Sequence, residues 1–356
     1  MIYYLGTILS QLFGPARLLQ SYTVLIVAAL YSGFVITVLA LPRLYRFLPC
    51  DRGREFVPGS VAAKGKPTGA GVIFISFFVF IVLIIAPLRP LHLCVLALTE
   101  LSMLTGFLDD QSAVSWGEYR KGLLDLFLSL AASIVLYYFL SRQNDSGQIQ
   151  FWFPFVAKPI TVAPWAYILV SVCLLWGSIN STNCTDGVDG LSGTLVLIAL
   201  LTLGVIFYFI IGHKEIAAYL LVPHMTDGAA WGLITFTLAG ALMGYLWHNA
   251  YPSQVLMGDA GSRALGFFIG ICVLVTGNPF LILATSTIIF IDGGLGLVKL
   301  FVMRFFKIPF LTKIRFPLHD HFRHNYGWSP TQVLLKFVIL QVLVSVALLG
   351  IFFKVR

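Results

Sequence analysis

Two adjacent aspartates, Asp109 and Asp110, close an apolar run from Leu91 to Leu108, and Asp186, Asp189 and Asp259 stand in other short polar breaks between apolar stretches. Carboxylates side by side repel each other, and the arrangement is costly unless a proton or a cation lies between them. Mg2+ takes one or two carboxylates together with substrate phosphate oxygens, so an aspartate pair at the rim of an apolar segment suits a phosphate-bearing substrate. The plainer reading, a solvated helix end, is weakened because acids at a helix C-terminus oppose its dipole.

The densest polar run is Asn180-Ser-Thr-Asn183-Cys-Thr-Asp186-Gly-Val-Asp189-Gly190. Glycine after each aspartate allows close backbone approach to a ligand, and the start of the following helix favours phosphate. An ordinary turn needs fewer asparagines and aspartates than this. A second run, His248-Asn249-Ala-Tyr-Pro followed by Gly258-Asp259-Ala-Gly261-Ser262, supplies an aspartate between glycines that could complete a metal shell. Pro317-Leu-His319-Asp320-His321-Phe-Arg323-His324 places three of the seven histidines within six residues of a basic loop. No cysteine is close enough to suggest zinc, and phosphate recognition by imidazole and arginine fits better. Lys64-Gly65-Lys66-Pro67-Thr68-Gly69-Ala-Gly71 lacks P-loop spacing. Its lysines could neutralise a pyrophosphate or serve only as a topogenic charge cluster.

The elements that must position these residues are membrane helices. Apolar residues make up 58% of the 356-residue chain and charged residues 11%, against about 25% charged in a soluble domain. Mean hydropathy is +0.91. The expected architecture is all-α: a polytopic integral membrane protein forming a single transmembrane catalytic domain over residues 1–356, with no cleavable leader. Ten spans are expected, at about Val24–Leu41, Ala70–Ile85, Leu91–Leu108, Leu123–Leu140, Trp165–Ile179, Leu191–Ile211, Ala229–Trp247, Ala264–Thr276, Phe280–Val302 and Val333–Phe352. The eighth is long enough only if it starts nearer Ala260. Five cysteines without paired spacing read as reduced packing residues.

Ten spans put the loops after odd-numbered spans on one side. Those loops hold thirteen Lys and Arg against seven in the other loops and termini, and nine of the fifteen acids. The positive-inside rule then places the odd loops in the cytoplasm and both termini outside. Lys121 is read here as part of the loop before the fourth span. Glu100 falls mid-span, either functional or bonded as a neutral acid to a neighbouring helix.

In this order, the motifs resemble those of the polyprenyl-phosphate N-acetylhexosamine-1-phosphate transferases. Gly106–Asp110 matches the family's Asp-Asp motif, Asn180–Gly190 its N-x-x-N-x-T-D-G-x-D-G motif, and Asn249-Ala-Tyr-Pro with Met257–Ser262 its N-A-Y-P…M-G-D-x-G-S motif. Pro317–Phe322 resembles P-L-H-H-H-F, which marks the branch using a muramoyl-pentapeptide, with Asp320 in place of the middle histidine. A lysine that the family carries early in the fourth span is not evident by sequence position.

The resemblance implies transfer of phospho-MurNAc-pentapeptide from its UDP carrier to undecaprenyl phosphate, releasing UMP and forming lipid I in a bacterial cytoplasmic membrane. It implies Mg2+ on Asp259 with Asp110 nearby, and Asp109 as base on the lipid phosphate or as nucleophile. Asn180, Asn183, Asp186, Asp189 and Asn249 would position metal, nucleotide and sugar. Lys64 or Lys66, and Lys121, would meet phosphate or uracil; His319, His321 and His324 would meet the diphosphate or muramoyl side. Expected partners are the two substrates and membrane lipids, with a homodimer left open and no nucleic acid. Two rivals are the same chemistry on UDP-GlcNAc, which the Pro-Leu-His element disfavours, and an ion-coupled transporter. Transporters carry midplane polar sites and repeats, and neither pattern is visible.

Overall fold

The computed structural model describes residues 1–51, 53, 64–143, 147–156 and 158–354. Arg52, Arg54, Glu55, Asp145 and Arg356, used in the charge count, lie outside the described residues. Every one of the ten expected apolar stretches is helical. Nine helices among the described residues are long and apolar enough to cross a membrane: Tyr22–Phe47, Pro90–Gln111, Glu118–Ser141, Pro164–Thr185, Leu191–Ile211, Gly228–Asn249, Gly258–Val275, Leu281–Phe306 and Pro330–Phe353. The remaining one, Gly71–Ile85, has 15 residues; at about 1.5 Å rise per residue it falls short of a hydrocarbon layer of about 30 Å.

Several boundaries differ from the expected ones, for local reasons. The eighth stretch starts at Gly258, so Asp259 stands in its first turn and it reaches 18 residues. The fourth starts at Glu118, whose charge suits a helix N-terminus. Lys121 is therefore a helix residue, not a loop residue, and stands in the first turns of the fourth expected stretch. Pro90 and Pro164 open their helices where a missing N–H costs nothing. The ninth stretch is broken: Ser286 has non-helical angles (φ −139°, ψ 21°), and wide π-type turns follow at Phe290–Gly294 and Val302–Phe306. Short helices Ile2–Leu9, Lys214–Tyr219 and Leu318–Tyr326 and an antiparallel hairpin, Ile149–Phe151 with Ile160–Val162, carry too few residues for a periodic signal. Among the cysteines, all free, only Cys272 is fully buried, whereas Cys50 and Cys173 are exposed, which corrects the packing reading for those two.

Gly258–Val275 is the central post: every residue after Gly258 is buried. A helix enclosed on all sides needs no solvent-facing polar side. Around it, Gly240 and Gly244 of Gly228–Asn249 form a small-xxx-small stripe where a Cβ would strike Leu30 and Thr37 of Tyr22–Leu44. Close backbone approach of this kind substitutes for the hydrophobic effect, which lipid does not provide between helices. In mid-span, Glu100 is half-buried and faces Ser76 of the adjacent helix.

The polar breaks gather at two opposite ends of the bundle. At one end Arg89 lies 3.7 Å from Asp227, and the hairpin residue Trp152 donates its indole N–H to Thr276 O at 2.7 Å. The acidic motifs and the histidine segment gather at the other.

Candidate active site

Asp109 and Asp110 occupy the last turn of Pro90–Gln111, which crosses Gly258–Val275 at Gly106. A Cβ there would run into the backbone of Asp259 and Ala260. The close crossing lets the two aspartates diverge. Asp110 turns to the N-terminus of the central helix, where its carboxylate accepts the N–H groups of Asp259 and Ala260, each at 3.0 Å. Gly258 makes this cap fit, with φ +69° and no Cβ to press on the Asp110 carboxylate. Asp109 turns the other way, accepting the Trp116 N–H at 2.7 Å and pairing with the Lys121 ammonium. Lys121 also reaches Asp259 Oδ2 at 2.9 Å. One ammonium group thus bridges Asp109 and Asp259, while helix N–H groups offset Asp110, and the repulsion implied by the sequence is shared between two kinds of positive partner.

One turn deeper the charges repeat with the helices exchanged. Arg263, fully buried, donates to Asp125 Oδ1 through Nε at 3.1 Å and through Nη2. Asn180 lies beside Asp125 and donates to Trp176 O at 2.9 Å, so it faces this buried pair.

A second cluster stitches the glycine-rich segment to the two polar motifs. Leu256 donates its N–H to Pro67 O at 2.8 Å, and Ala70 and Gly71 donate back to Leu256 O and Met257 O, each at 3.1 Å. This pairing delivers Lys66, whose ammonium donates to Ser253 Oγ at 3.0 Å and lies 3.9 Å from Asp189. Asp189 accepts the Ser253 N–H at 3.0 Å. Lys64, two residues earlier, is exposed. Asn249 is committed internally: its Oδ1 accepts the Gly190 N–H and its Nδ2 donates to Val255 O, both at 2.8 Å. Asn183 stands in the last turn of Pro164–Thr185, and Asp186 immediately follows it.

The histidine segment forms the short helix Leu318–Tyr326. His319 is 1% exposed and held by Asp292, and the Gly187 backbone lies against its Nε2 edge. Asp320 is buried between His319 Nε2 (3.9 Å) and Arg323 Nη1 (3.8 Å). His321 accepts the Arg315 N–H at 3.3 Å, and His324 pairs with Asn325, both at the rim. Asp292 and Asp125 carried no motif signal because each lies within an apolar run, and Arg263 stands just past the Gly258–Ser262 motif. Asp51 was also missed, although it lines the site.

Asp51, Thr68, Asp109, Asp110, Lys121 and Asp259 share a polar cavity of about 160 Å³. No group of three His, Cys, Asp or Glu side chains among the described residues forms a ready-made metal shell. That is compatible with Mg2+, which needs only one or two carboxylates when substrate oxygens and water complete it. Each Asp110 oxygen keeps acceptor capacity beyond its one N–H bond, and an all-oxygen donor set suits a hard cation.

Comparison with known proteins agrees with this geometry. The glycosyl transferase family 4 model matches residues 92–277, a stretch holding the aspartate pair, Lys121, the 180–190 run and Asp259. The phospho-N-acetylmuramoyl-pentapeptide-transferase of Treponema pallidum (strain Nichols) is 56% identical over 99% of this chain and 97% of its own length. Transferases of the same name from Gemmatimonas aurantiaca (30% identical, 91% of each chain) and Campylobacter hominis (29%, covering 97% of this chain and 98% of the relative) extend the similarity to distant bacteria. The chain belongs to glycosyl transferase family 4 and, within it, to the phospho-N-acetylmuramoyl-pentapeptide-transferases.

Proposed function

We propose that the chain forms lipid I at the Asp109–Lys121–Asp259 cluster, facing the cytoplasm of a bacterial cell membrane as one transmembrane catalytic domain. Gly71–Ile85 would be a tenth crossing and both termini would be external. The reaction moves phospho-MurNAc-pentapeptide from its UDP carrier to undecaprenyl phosphate. A lipid phosphate oxygen bonds to the sugar-bearing phosphorus, the P–O bond to the uridylyl phosphate breaks, and UMP leaves. The observation that supports the assignment is the Lys121 bridge between Asp109 and Asp259, a set of fixed opposite charges suited to the meeting of two anionic substrates.

Mg2+, held by Asp259 and Asp110, would supply charge neutralisation on the pyrophosphate. Lys121 and Lys66 screen the approaching phosphates at the two ends of the cluster. Asp109, anchored through Oδ1 by Trp116 and through Oδ2 by Lys121, is suited to take a proton from the lipid phosphate rather than to move into a covalent bond. Asn183, Asp186 and Asp189 face nucleotide and sugar, Asn249 braces the loop that does so, Asn180 supports the helix before it, and His319, His321 and His324 meet the diphosphate or muramoyl side. An apolar recess of about 190 Å³, lined by Gly293, Leu297, Leu300 and Phe316, suits the prenyl chain.

Purified protein with Mg2+ and undecaprenyl phosphate is expected to release UMP from UDP-MurNAc-pentapeptide and not from UDP-GlcNAc. Turnover of UDP-GlcNAc alone would replace this reading with the N-acetylglucosamine branch, and solute movement without UMP release would replace it with a transporter.

A further inference from the structure

Asp292 is completely buried in an apolar stretch of a membrane protein. A carboxylate there is expensive unless hydrogen bonds satisfy it. Both of its oxygens are committed to a single residue: Oδ1 accepts the backbone N–H of His319 at 2.8 Å, and Oδ2 accepts its Nδ1–H at 2.8 Å. A carboxylate can only accept, so this contact fixes the tautomer with the proton on Nδ1 and turns Nε2 away from Asp292, toward Gly187 and Asp320. Nε2 lies against Gly187, in the loop between Asp186 and Asp189, where any Cβ would collide with the ring.

The path of the chain is shaped to make this contact. The helix that reaches Asp292 breaks at Ser286, and the Ile288 N–H freed by the break is taken by Gln341 Oε1 at 2.9 Å from Pro330–Lys354. The same Gln341 donates to Ser345 Oγ at 2.8 Å, which donates to Ala284 O at 2.7 Å. A break repaired by a neighbouring helix is stable in lipid. Beyond it the wide turn Phe290–Gly294 presents Asp292 to the histidine helix.

We infer that Asp292 is a positioning residue for the transfer reaction: it holds His319 in one tautomer and one orientation, with Nε2 set against the Asp186–Asp189 loop that faces the substrate. This rests on the reading above that His319 meets the diphosphate or muramoyl side of the substrate.

The test is a double-mutant cycle on full-length protein in detergent, with kcat and KM measured separately for both substrates. His319→Ala, Asp292→Asn and the double variant are compared, and Asp292→Glu serves as the conservative rescue. Asp292→Asn can leave the wrong ring nitrogen protonated, and is expected to lower kcat about 100-fold with little change in KM. Asp292→Glu should recover most of that loss. In the His319→Ala background, Asp292→Asn should change kcat by less than about twofold, because its effect passes through the imidazole. An equal loss in both backgrounds would overturn the positioning role and leave Asp292 a structural residue. Near-normal turnover in His319→Ala would instead overturn the substrate-facing reading of His319 on which the inference rests. Thermal unfolding of each variant separates both results from misfolding, and if Asp292→Asn fails to fold, Asp292→Ala takes its place in the cycle in both backgrounds.

Discussion

Asp110 caps the helix that carries Asp259: its two carboxylate oxygens accept the backbone N–H groups of Asp259 and Ala260, each at 3.0 Å. One aspartate of the pair therefore fixes the position of the third acid in the cluster. Asp110→Ala should remove the cap and lower stability by about 1 kcal/mol or more. Asp110→Asn, which keeps one acceptor oxygen, should lose less. Thermal unfolding in detergent reads both, and equal stability of the Ala and Asn variants would separate Asp110 from the cap. Gly258→Ala should be at least as damaging, because its φ of +69° and the adjacent carboxylate both oppose a Cβ.

Lys121 is a resident cation in a carboxylate cluster, so it competes with any divalent ion for the same oxygens. Lys121→Gln should lower kcat by about 100-fold or more, since a fixed charge near the transferring phosphoryl group is lost. The same variant should bind Mn2+ more tightly than the parent, because net negative charge at the site increases. Titration followed by the electron spin resonance of Mn2+ reads the second effect, and weaker binding would contradict the geometry.

The glycine-rich loop distinguishes its two lysines. Lys66 reaches Ser253 and Asp189, whereas Lys64 is exposed. Lys66→Ala should cost about tenfold or more in kcat/KM for the UDP-linked substrate, and Lys64→Ala less than about threefold. Steady-state kinetics of the two single variants checks this, and the reverse order would exchange the assignment.

The fully buried Arg263–Asp125 pair is where removing one partner and removing both differ most. Arg263→Leu or Asp125→Leu alone should destabilise the protein by about 3–5 kcal/mol, since a charge is left unpaired, and the double Leu variant should recover most of that. Thermal unfolding of the three variants distinguishes this from a pair that contributes nothing, for which all three would match the parent.

The helical stretches were legible because about twenty apolar residues in a row have few other uses. Their ends were less so, since Gly258 and Glu118 extend helices into segments that read as polar loops. That misplacement concealed Lys121 as a helix residue facing Asp259. Among the site residues, Asp109 and Asp110 stood out as an adjacent pair ending an apolar run, and Asp189 and Asp259 because each stands next to glycine between apolar stretches. Asp292 and Asp125 did not, because a single charge in an apolar run announces cost without naming its partner, and their partners His319 and Arg263 lie 27 and 138 residues away. Asn249 was legible as polar and near the site, but its two internal hydrogen bonds make it a brace between loops, a distinction only coordinates can draw. The Ser286 break had no proline or glycine to mark it, and its repair by Gln341 depends on a helix more than fifty residues later.

The most direct test of the acidic cluster as a metal-dependent transfer site is Mn2+ binding to detergent-purified protein, compared between the parent and Asp259→Asn. The parent should bind Mn2+ in competition with Mg2+, and Asp259→Asn, folded by thermal unfolding, should lose both that binding and UMP release. Undiminished Mn2+ binding and turnover in Asp259→Asn would contradict the assignment of the site.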